Sequence, residues 1–319
     1  MSRPVLLVLR PLGLGDLLTA LPALRALAEA FADHHRVLAT TPELAPLAML
    51  TGTVHEVLAA RPLGPLAGPQ TPDVAVNLHG RGPQSHRVLL ALAPRRLIAF
   101  EHAVVPDSRG LPVWRPDEHE VRRWCRLLDE CGVPADPARL DLPAPPEPAP
   151  AEARGATVIH PGAASPARCW PAARWIRVAR AELAAGRRIV LTGGPGEEAL
   201  AREIARRAEV PGQSVWAGRT DVVSLARLVA AAGRVVCADT GVAHLATALR
   251  TPSVVLFGPT PPALWGPPSD RPWHRVLWAG ATGSAHGPHA DPGLLRISVE
   301  DVLEALASLP PAPAVEVLT

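Results

Sequence analysis

The chain of 319 residues contains no lysine and no tyrosine, and only three phenylalanines. Every strongly basic side chain is therefore an arginine. Because alanine and proline are abundant as well, we attribute this bias to codon composition rather than to function. The formal net charge is only +2, which argues against a protein dedicated to nucleic acid, because such proteins carry a strong basic excess.

Cysteine is also scarce, and its spacing excludes two classes of small, cross-linked protein. No two cysteines form a C-x-x-C pair, so neither a zinc site nor a disulfide framework is indicated. His286 and His289 form an H-x-x-H pair, but the spacing indicates no set of carboxylate or thiol partners for them. We therefore predict no metal site. The four cysteines are Cys125, Cys131, Cys169 and Cys237.

No uninterrupted apolar stretch reaches the roughly 20 residues that a membrane-spanning helix needs. The first apolar run, residues 5–9, ends at Arg10 and is not followed by a small-residue cleavage site. We interpret it as a first strand and not as a signal peptide. The sequence therefore predicts a cytoplasmic protein without a transmembrane segment.

Short apolar strands alternate with amphipathic helices along the chain, which is typical of doubly wound parallel α/β sheets. The length favours two domains. Residues 142–153, LPAPPEPAPAEA, lack apolar periodicity and predict a stiff linker. We therefore expect one Rossmann-like domain at residues 1–141 and another at 154–319, with a ligand in the cleft between them.

Three further predictions concern the bounds of individual helices and strands. The first helix should follow the turn at residues 11–16 and reach about Phe31, with Pro22 in its first turns or at a kink. Residues 214–216 should form a strand. Ser298 and Asp301 resemble a capping box for a last helix that reaches Leu309.

The turn Gly13-Leu14-Gly15-Asp16 follows the first predicted strand. It is not a dinucleotide fingerprint, because Leu18 occupies the position of the third glycine. Asp16 has two interpretations, which the spacing leaves open. It is either the N-cap of the following helix or a general base whose pKa is raised by burial.

The segment HPGAASPARCWP follows the first predicted strand of the second domain. Its residues Ala163, Ala164 and Ser165 are small enough for a ligand to approach the backbone closely. Arg168 suits a bidentate contact with phosphate. The alternative is that Arg168 is an ordinary surface arginine in a loop.

The segment TGGPGEE ends the next predicted strand and carries Glu197 and Glu198. A carboxylate at this position can accept hydrogen bonds from ribose hydroxyls. Alternatively, both acids simply complement the positive N-terminus of the helix that follows. The spacing does not distinguish Glu197 from Glu198.

The stretch from Arg234 to Pro268 reads as strand, tight turn, helix, strand and glycine-containing turn, which is a βαβ unit. Ligands of such units lie at the carboxyl ends of the strands, and a helix N-terminus favours anions such as phosphate. We therefore expect the residues of the first turn to contact an anionic ligand, although His244 could equally be a partly buried histidine with a backbone partner. The turn and first helical residues are Asp239, Thr240, Gly241 and His244.

These motifs together resemble family 9 glycosyltransferases, the ADP-heptose:lipopolysaccharide heptosyltransferase family. The resemblance covers nearly the whole chain and is carried, in order, by RPLGLGDLLTALPALRAL, HPGAASPARCWP, LTGGPGEEALAREIA and CADTGVAHLATALRTPSVVLFGPT. It implies a GT-B fold that uses a nucleotide-sugar co-substrate without a metal ion or other cofactor. It also implies a glycan or glycolipid acceptor, through which the protein would associate peripherally with a membrane.

The resemblance also implies a role for individual residues. Asp16, on the turn that contains Gly13 and Gly15, matches the catalytic base. The donor-binding positions are matched by Ala164 and Ser165 at the phosphates, Arg168 at the diphosphate, Glu198 or its neighbour Glu197 at the ribose, and the loop residues Asp239, Thr240, Gly241 and His244. We also expect Thr260 to lie near the leaving diphosphate.

The implied activity is inverting transfer of a sugar, heptose in the family, from a nucleotide diphosphate to a lipopolysaccharide-core-like acceptor. Three alternatives stay open at this point. The chain could transfer another nucleotide-linked sugar in a natural-product or cell-wall pathway, bind nucleotide sugars without turnover, or isomerise them. The sequence names neither the sugar and nucleotide base nor the acceptor or the oligomeric state.

Overall fold

The computed structural model describes residues 3–69 and 71–311. The chain divides into two compact units between Leu140 and Asp141. Each unit contains a five-stranded sheet in which all neighbouring strands are parallel. The α/β fold class expected from the alternation of strands and helices is therefore confirmed.

The N-terminal sheet has the strand order β3-β2-β1-β4-β5. Its central strands are almost continuous apolar runs, as expected for parallel strands that are covered on both faces. Its strands are Val5–Leu9 (β1), His35–Thr40 (β2), Glu56–Ala59 (β3), Val74–Asn77 (β4) and Arg96–Ile98 (β5). Its helices are Leu14–Thr19 (α1), Leu21–Ala30 (α2), Ala45–Leu50 (α3), Gln84–Leu90 (α4) and Glu120–Glu130 (α5).

The first predicted helix is two helices in the structure. α1 ends at Thr19 and α2 begins at Leu21, with Ala20 between them. Pro22 is the second residue of α2, where its missing N–H group removes no intrahelical hydrogen bond. The proline therefore starts a new helix instead of kinking a long one.

The C-terminal sheet has the strand order β10-β9-β8-β6-β7. Its strands are Thr157–His160 (β6), Ile189–Leu191 (β7), Arg234–Ala238 (β8), Ser253–Phe257 (β9) and His274–Trp278 (β10). Its helices are Ala172–Ala184 (α6), Glu198–Ala208 (α7), Val222–Ala231 (α8), Gly241–Ala248 (α9), Pro262–Trp265 (α10), Pro292–Arg296 (α11) and Val299–Ala307 (α12). α12 begins with the predicted capping box of Ser298 and Asp301 and ends two residues before Leu309.

The prediction of a strand at residues 214–216 is wrong. Val215 forms only an isolated parallel bridge to Leu191, directly after a short 3-10 turn at Gly212–Ser214. The fifth strand of the sheet is instead β10, which sequence analysis did not find. β10 pairs on one side only, with β9, and its mixed composition follows from this edge position.

The strand orders place the carboxyl ends of particular strands side by side. In the N-terminal sheet the winding reverses between β1 and β4, and in the C-terminal sheet it reverses between β6 and β8. Ligands of open α/β sheets bind at such reversals, outside the carboxyl ends of the strands. The turns after β1, β4, β6 and β8 are therefore the candidate positions for a ligand-binding site.

No helix in residues 3–69 and 71–311 combines the length and the apolar character that crossing a membrane requires.

Candidate functional site

The turns after β6 and β8 lie next to each other and bring Arg168 to Asp239. His160 at the end of β6 is in register with Cys237 of β8. Arg168 Nη1 donates a hydrogen bond to the Asp239 backbone oxygen at 3.1 Å and lies 3.9 Å from Asp239 Oδ2. Two residues that are 71 positions apart in the chain thus form one cluster, and the sequence analysis had predicted both.

Two polar atoms of this cluster are buried without a hydrogen-bond partner. They are Arg168 Nε and Thr240 Oγ1. Thr240 is the N-cap residue of α9, but its side chain makes no capping hydrogen bond. Leaving such atoms unpaired costs about 1–3 kcal/mol each, so water or a polar ligand that paired with them would stabilise this cluster.

Asp239 is 5% exposed. Burial raises the pKa of its carboxyl to about 6, and the nearby positive charge of Arg168 opposes this shift. The group therefore changes its protonation state close to neutral pH. It lies directly before the N-terminus of α9, where backbone N–H groups favour an anion.

Glu197 and Glu198 have different surroundings in the structure, although their sequence spacing does not distinguish them. Glu197 Oε2 accepts a hydrogen bond from Gly194 N at 2.6 Å. The Glu197 carboxylate also abuts Gly162 in the turn after β6, where an added Cβ would lie only 2.0 Å from Oε1. Glu198 instead pairs with Arg202 at 2.7 Å and packs beside Gly218. Only Glu197 therefore faces the turn after β6.

His160, the last residue of β6, lies next to the Glu197 carboxylate. Its Nδ1 lies 3.0 Å from Thr192 Oγ1, and its Nε2 lies 3.9 Å from Glu197 Oε2. Burial lowers the pKa of His160, although Glu197 opposes this effect. A neutral imidazole therefore lies beneath the Glu197 carboxylate.

The remaining predicted donor residues have varied surroundings. Ala164 is exposed, whereas Ser165 is buried and its Oγ donates to Gly287 O at 3.4 Å. The His244 ring meets Trp265 edge-on, with centroids 5.8 Å apart. Thr260 is half-buried in the turn after β9, next to the turn after β8 in strand order.

Asp16 is not the N-cap of α1, which corrects one of the two interpretations from sequence. The N-cap is Gly13, and Asp16 is the third helical residue. Asp16 Oδ2 reaches back to accept a hydrogen bond from Gly13 N at 3.1 Å. Gly15 lies within the first turn of α1, and its carbonyl accepts a hydrogen bond from Thr19 Oγ1 at 2.9 Å.

Asp16 belongs to a buried charge cluster that sequence analysis missed. Arg10 is completely buried, and its Nη2 lies 3.5 Å from Asp16 Oδ1 and 3.0 Å from Glu120 Oε1. Burial raises the pKa of Asp16, the positive charge of Arg10 opposes the increase, and the negative charge of Glu120 adds to it. The only sequence signal for this cluster is Arg10 itself, a charged residue that directly follows a fully apolar strand.

His79 lies at the neighbouring strand end, after β4. Its Nδ1 is buried without a hydrogen-bond partner, and its backbone N–H donates to Asn77 Oδ1 at 3.0 Å. Burial and the charge of Arg10 lower the pKa of His79. The imidazole is therefore neutral near pH 7.

The family model described as "Glycosyltransferase family 9 (heptosyltransferase)" matches residues 94–283, which is more than half of the chain. The chain belongs to glycosyltransferase family 9.

Curated relatives in family 9 match over part of their length. Lipopolysaccharide heptosyltransferase 3 of Escherichia coli is 35% identical over 128 residues, 39% of this chain and 36% of the relative. Lipopolysaccharide heptosyltransferase 2 of E. coli strain K12 is 31% identical over 162 residues, 47% and 45% of the two chains. The matched region therefore spans about a third to a half of these relatives.

Solved structures confirm the GT-B-like fold over nearly the full chain. A family 9 glycosyl transferase from Veillonella parvula has a TM-score of 0.79 at 19% identity and covers 97% of both chains. The ADP-heptose lipopolysaccharide heptosyltransferase II of E. coli has a TM-score of 0.72 at 21% identity, covering 95% of this chain and 98% of that one. At these identities the likeness establishes the fold alone.

The family 9 match contains the whole set of predicted donor residues, from Ala164 to Thr260, but begins far beyond Asp16. The role of Asp16 therefore depends on its own geometry. Within the described residues, no group of three or more histidine, cysteine or acidic side chains is placed to hold a metal ion.

Proposed function

We propose that this chain is an inverting glycosyltransferase that moves a heptose from a nucleotide diphosphate, of the ADP-heptose kind, to a glycan or glycolipid acceptor. The observation that carries the proposal is the contact of Arg168 with Asp239, directly before the N-terminus of α9. The negative charge of a diphosphate suits both the arginine and the helix end.

In this proposal the donor lies across the carboxyl ends of β6, β7, β8 and β9. Arg168 and the first N–H groups of α9 bind the diphosphate, with Thr260 beside it. Ala164 offers only its backbone, because it has no side-chain donor. Glu197 accepts hydrogen bonds from the ribose hydroxyls, since its carboxylate faces the turn after β6 while Glu198 is engaged with Arg202.

Asp16 supplies the chemistry. Its carboxylate takes the proton of an acceptor hydroxyl, and that oxygen forms the new bond to the anomeric carbon from the face opposite the diphosphate. The bond from the anomeric carbon to the diphosphate oxygen breaks, and the charge that develops there is stabilised by Arg168 and by the α9 N–H groups. Attack from the opposite face inverts the configuration.

The names of the relatives bear on the acceptor and on the cellular location. Relatives that match this chain are named lipopolysaccharide heptosyltransferases, which favours a lipopolysaccharide-core-like glycan as acceptor. A glycolipid of this kind would bring a cytoplasmic protein to the membrane surface without a transmembrane segment.

Donor binding is tested with Arg168→Ala. We expect ADP to bind about 10- to 100-fold more weakly, because a charge-assisted hydrogen bond contributes about 1.5–3 kcal/mol. Calorimetric titration measures the affinity, and thermal shifts with ADP, GDP, UDP and dTDP identify the preferred base.

The control for this variant is Arg177→Ala, which removes an exposed arginine of α6 that pairs with Glu300 at 2.5 Å. It should bind ADP as the wild type does. Unchanged affinity in Arg168→Ala would contradict the proposed diphosphate site.

Catalysis is tested with Asp16→Asn. Asparagine keeps a side-chain oxygen for Gly13 N but cannot accept the proton, so we expect normal folding and ADP binding with transfer reduced by roughly 100-fold or more. The measurement is release of ADP from ADP-heptose with a deacylated core glycan as acceptor.

The matched control is Asp33→Asn in the same unit, whose side chain is 80% exposed. It should transfer at the wild-type rate. Wild-type turnover by Asp16→Asn would exclude Asp16 as the base.

A further inference from the structure

The guanidinium of Arg10 joins the turn after β1 to the end of β4. Its Nε donates to the backbone oxygen of Asp16 at 3.0 Å, and its Nη1 donates to the backbone oxygen of Leu78. Nη2 lies 3.3 Å from Thr19 Oγ1 and 3.0 Å from Glu120 Oε1. Because the side chain is completely buried, this geometry fixes where the Asp16 turn lies.

Glu120, like Arg10, is buried and hydrogen-bonded to several neighbours. It is the first residue of α5 and is 5% exposed. Its Oε1 accepts a hydrogen bond from Trp124 Nε1 at 2.8 Å, and its Oε2 accepts one from Arg123. The Arg10 guanidinium also packs over the Trp124 ring at 4.8 Å. These aromatic surroundings exclude water and strengthen each charge interaction.

Two carboxylates therefore share the charge of Arg10. The more buried one, Glu120, is the closer at 3.0 Å, while Asp16 lies at 3.5 Å with 28% of its side chain exposed. An arginine with no other counter-ion would hold Asp16 strongly in its ionised form and make it a poor proton acceptor. The negative charge of Glu120 offsets part of the effect that the positive charge of Arg10 has on the Asp16 carboxylate.

We propose that Glu120 and Arg10 are a positioning pair for Asp16: Arg10 fixes the turn, and Glu120 prevents Arg10 from becoming the sole counter-ion of the Asp16 carboxylate. The proposal rests on Asp16 being the base of the proposed transfer. It adds a residue 110 positions from Arg10 to the machinery of that reaction.

The charged groups that face this cluster come from three places in the N-terminal unit. Arg10 lies at the end of β1, and α5 contributes Glu120 and Arg123. His79 follows β4, and burial together with the positive charge of Arg10 lowers its pKa, whereas the charged groups that shift the pKa of Asp16 are Arg10 and Glu120. The titration of Asp16 therefore depends mainly on Arg10 and Glu120.

The test is Glu120→Gln, with the Asp16 carboxyl carbon followed by ¹³C NMR as a function of pH and assigned by its loss in Asp16→Asn. Removing the negative charge of Glu120 should lower the titration midpoint of Asp16 by at least about half a unit. The acid limb of the pH–rate profile should move to lower pH with it. The plateau rate should fall by roughly 3- to 10-fold, because a weaker base removes the proton less readily.

The matched control is Glu118→Gln. Glu118 lies two residues before Glu120 and pairs with Arg126 at 2.7 Å. This substitution removes a partly exposed ion pair of the same segment and should leave the Asp16 midpoint unchanged. Glu120→Asp, which keeps the charge, should lie between the wild type and Glu120→Gln.

If Glu120→Gln does not fold, the double variant Arg10→Met, Glu120→Leu replaces the buried pair by apolar groups, which is often tolerated. The Asp16 midpoint should then rise, because Arg10 acts on it more strongly than Glu120 does. An unmoved midpoint in a folded variant would overturn the pairing. Because the titration needs no substrate, that result is distinct from failure of the proposed function, which would appear as wild-type transfer by Asp16→Asn.

Discussion

At the scale of single residues, the candidate donor site contains a buried carboxyl group with a shifted pKa. Burial raises the pKa of Asp239 from its ordinary value of 3.8 to about 6. Between about pH 4 and pH 6 the folded chain thus keeps a proton that the unfolded chain releases. Stability is therefore lost as the pH rises through this window, and the loss persists above pH 6.

Asp239→Asn should consequently be more stable than the wild type at pH 8, by about 1–3 kcal/mol. The difference should become small near pH 4, where the folded carboxyl is protonated and the unfolded carboxyl is only partly ionised. Urea unfolding at pH 4 and pH 8 measures the free energy of unfolding of each protein.

Asp221→Asn is the comparison, because Asp221 caps α8 by accepting a hydrogen bond from Ser224 N at 2.7 Å and asparagine caps nearly as well. Its stability should change by less than about 0.5 kcal/mol at either pH. A destabilised Asp239→Asn at pH 8 would show that the carboxylate is compensated by groups other than Arg168.

At the scale of elements, the turns after β6 and β7 depend on a glycine for their close approach. Gly162 leaves room for the Glu197 carboxylate, which an added Cβ would meet at 2.0 Å. Because that carboxylate is the end of a flexible side chain, Gly162→Ala should displace Glu197 without unfolding the unit.

We therefore expect Gly162→Ala to weaken ADP binding by roughly 3- to 10-fold, the value of about one hydrogen bond. Binding of inorganic pyrophosphate, which has no ribose, should be unaffected. Titration calorimetry with both ligands separates these effects.

Gly212→Ala serves as the control, because nothing lies within 4 Å of a Cβ at that position. Equal losses for ADP and pyrophosphate in Gly162→Ala would mean that the substitution distorts the diphosphate site and that Glu197 does not bind the ribose.

The elements also show what could be predicted from sequence. Turns after apolar strands were found correctly, and parallel pairing then brought Arg168 to Asp239, because carboxyl ends of parallel strands meet at one edge. β10 was missed because an edge strand carries no continuous apolar run. The Arg10–Glu120 contact was missed because side chains that meet across 110 residues leave no periodic signal.

At the scale of the whole molecule, the two units share an architecture but divide the proposed chemistry. All proposed donor residues lie in the C-terminal unit, and the proposed base with its positioning pair lies in the N-terminal unit. The family 9 match, which begins at residue 94, covers the proposed donor residues and Glu120 but neither Arg10 nor Asp16.

The two sheets are wound in the same sense. In each unit the first strand, β1 or β6, lies between the second strand and the strand that follows the reversal, β4 or β8. The isolated bridge of Val215 to Leu191 of β7 lies where the N-terminal sheet has β3 beside β2. The C-terminal unit therefore keeps the place of a third strand but fills it with a single bridged residue. All strand pairing of the described residues stays within one unit or the other, so recombination between relatives should be tolerated best where the crossover falls between the two units.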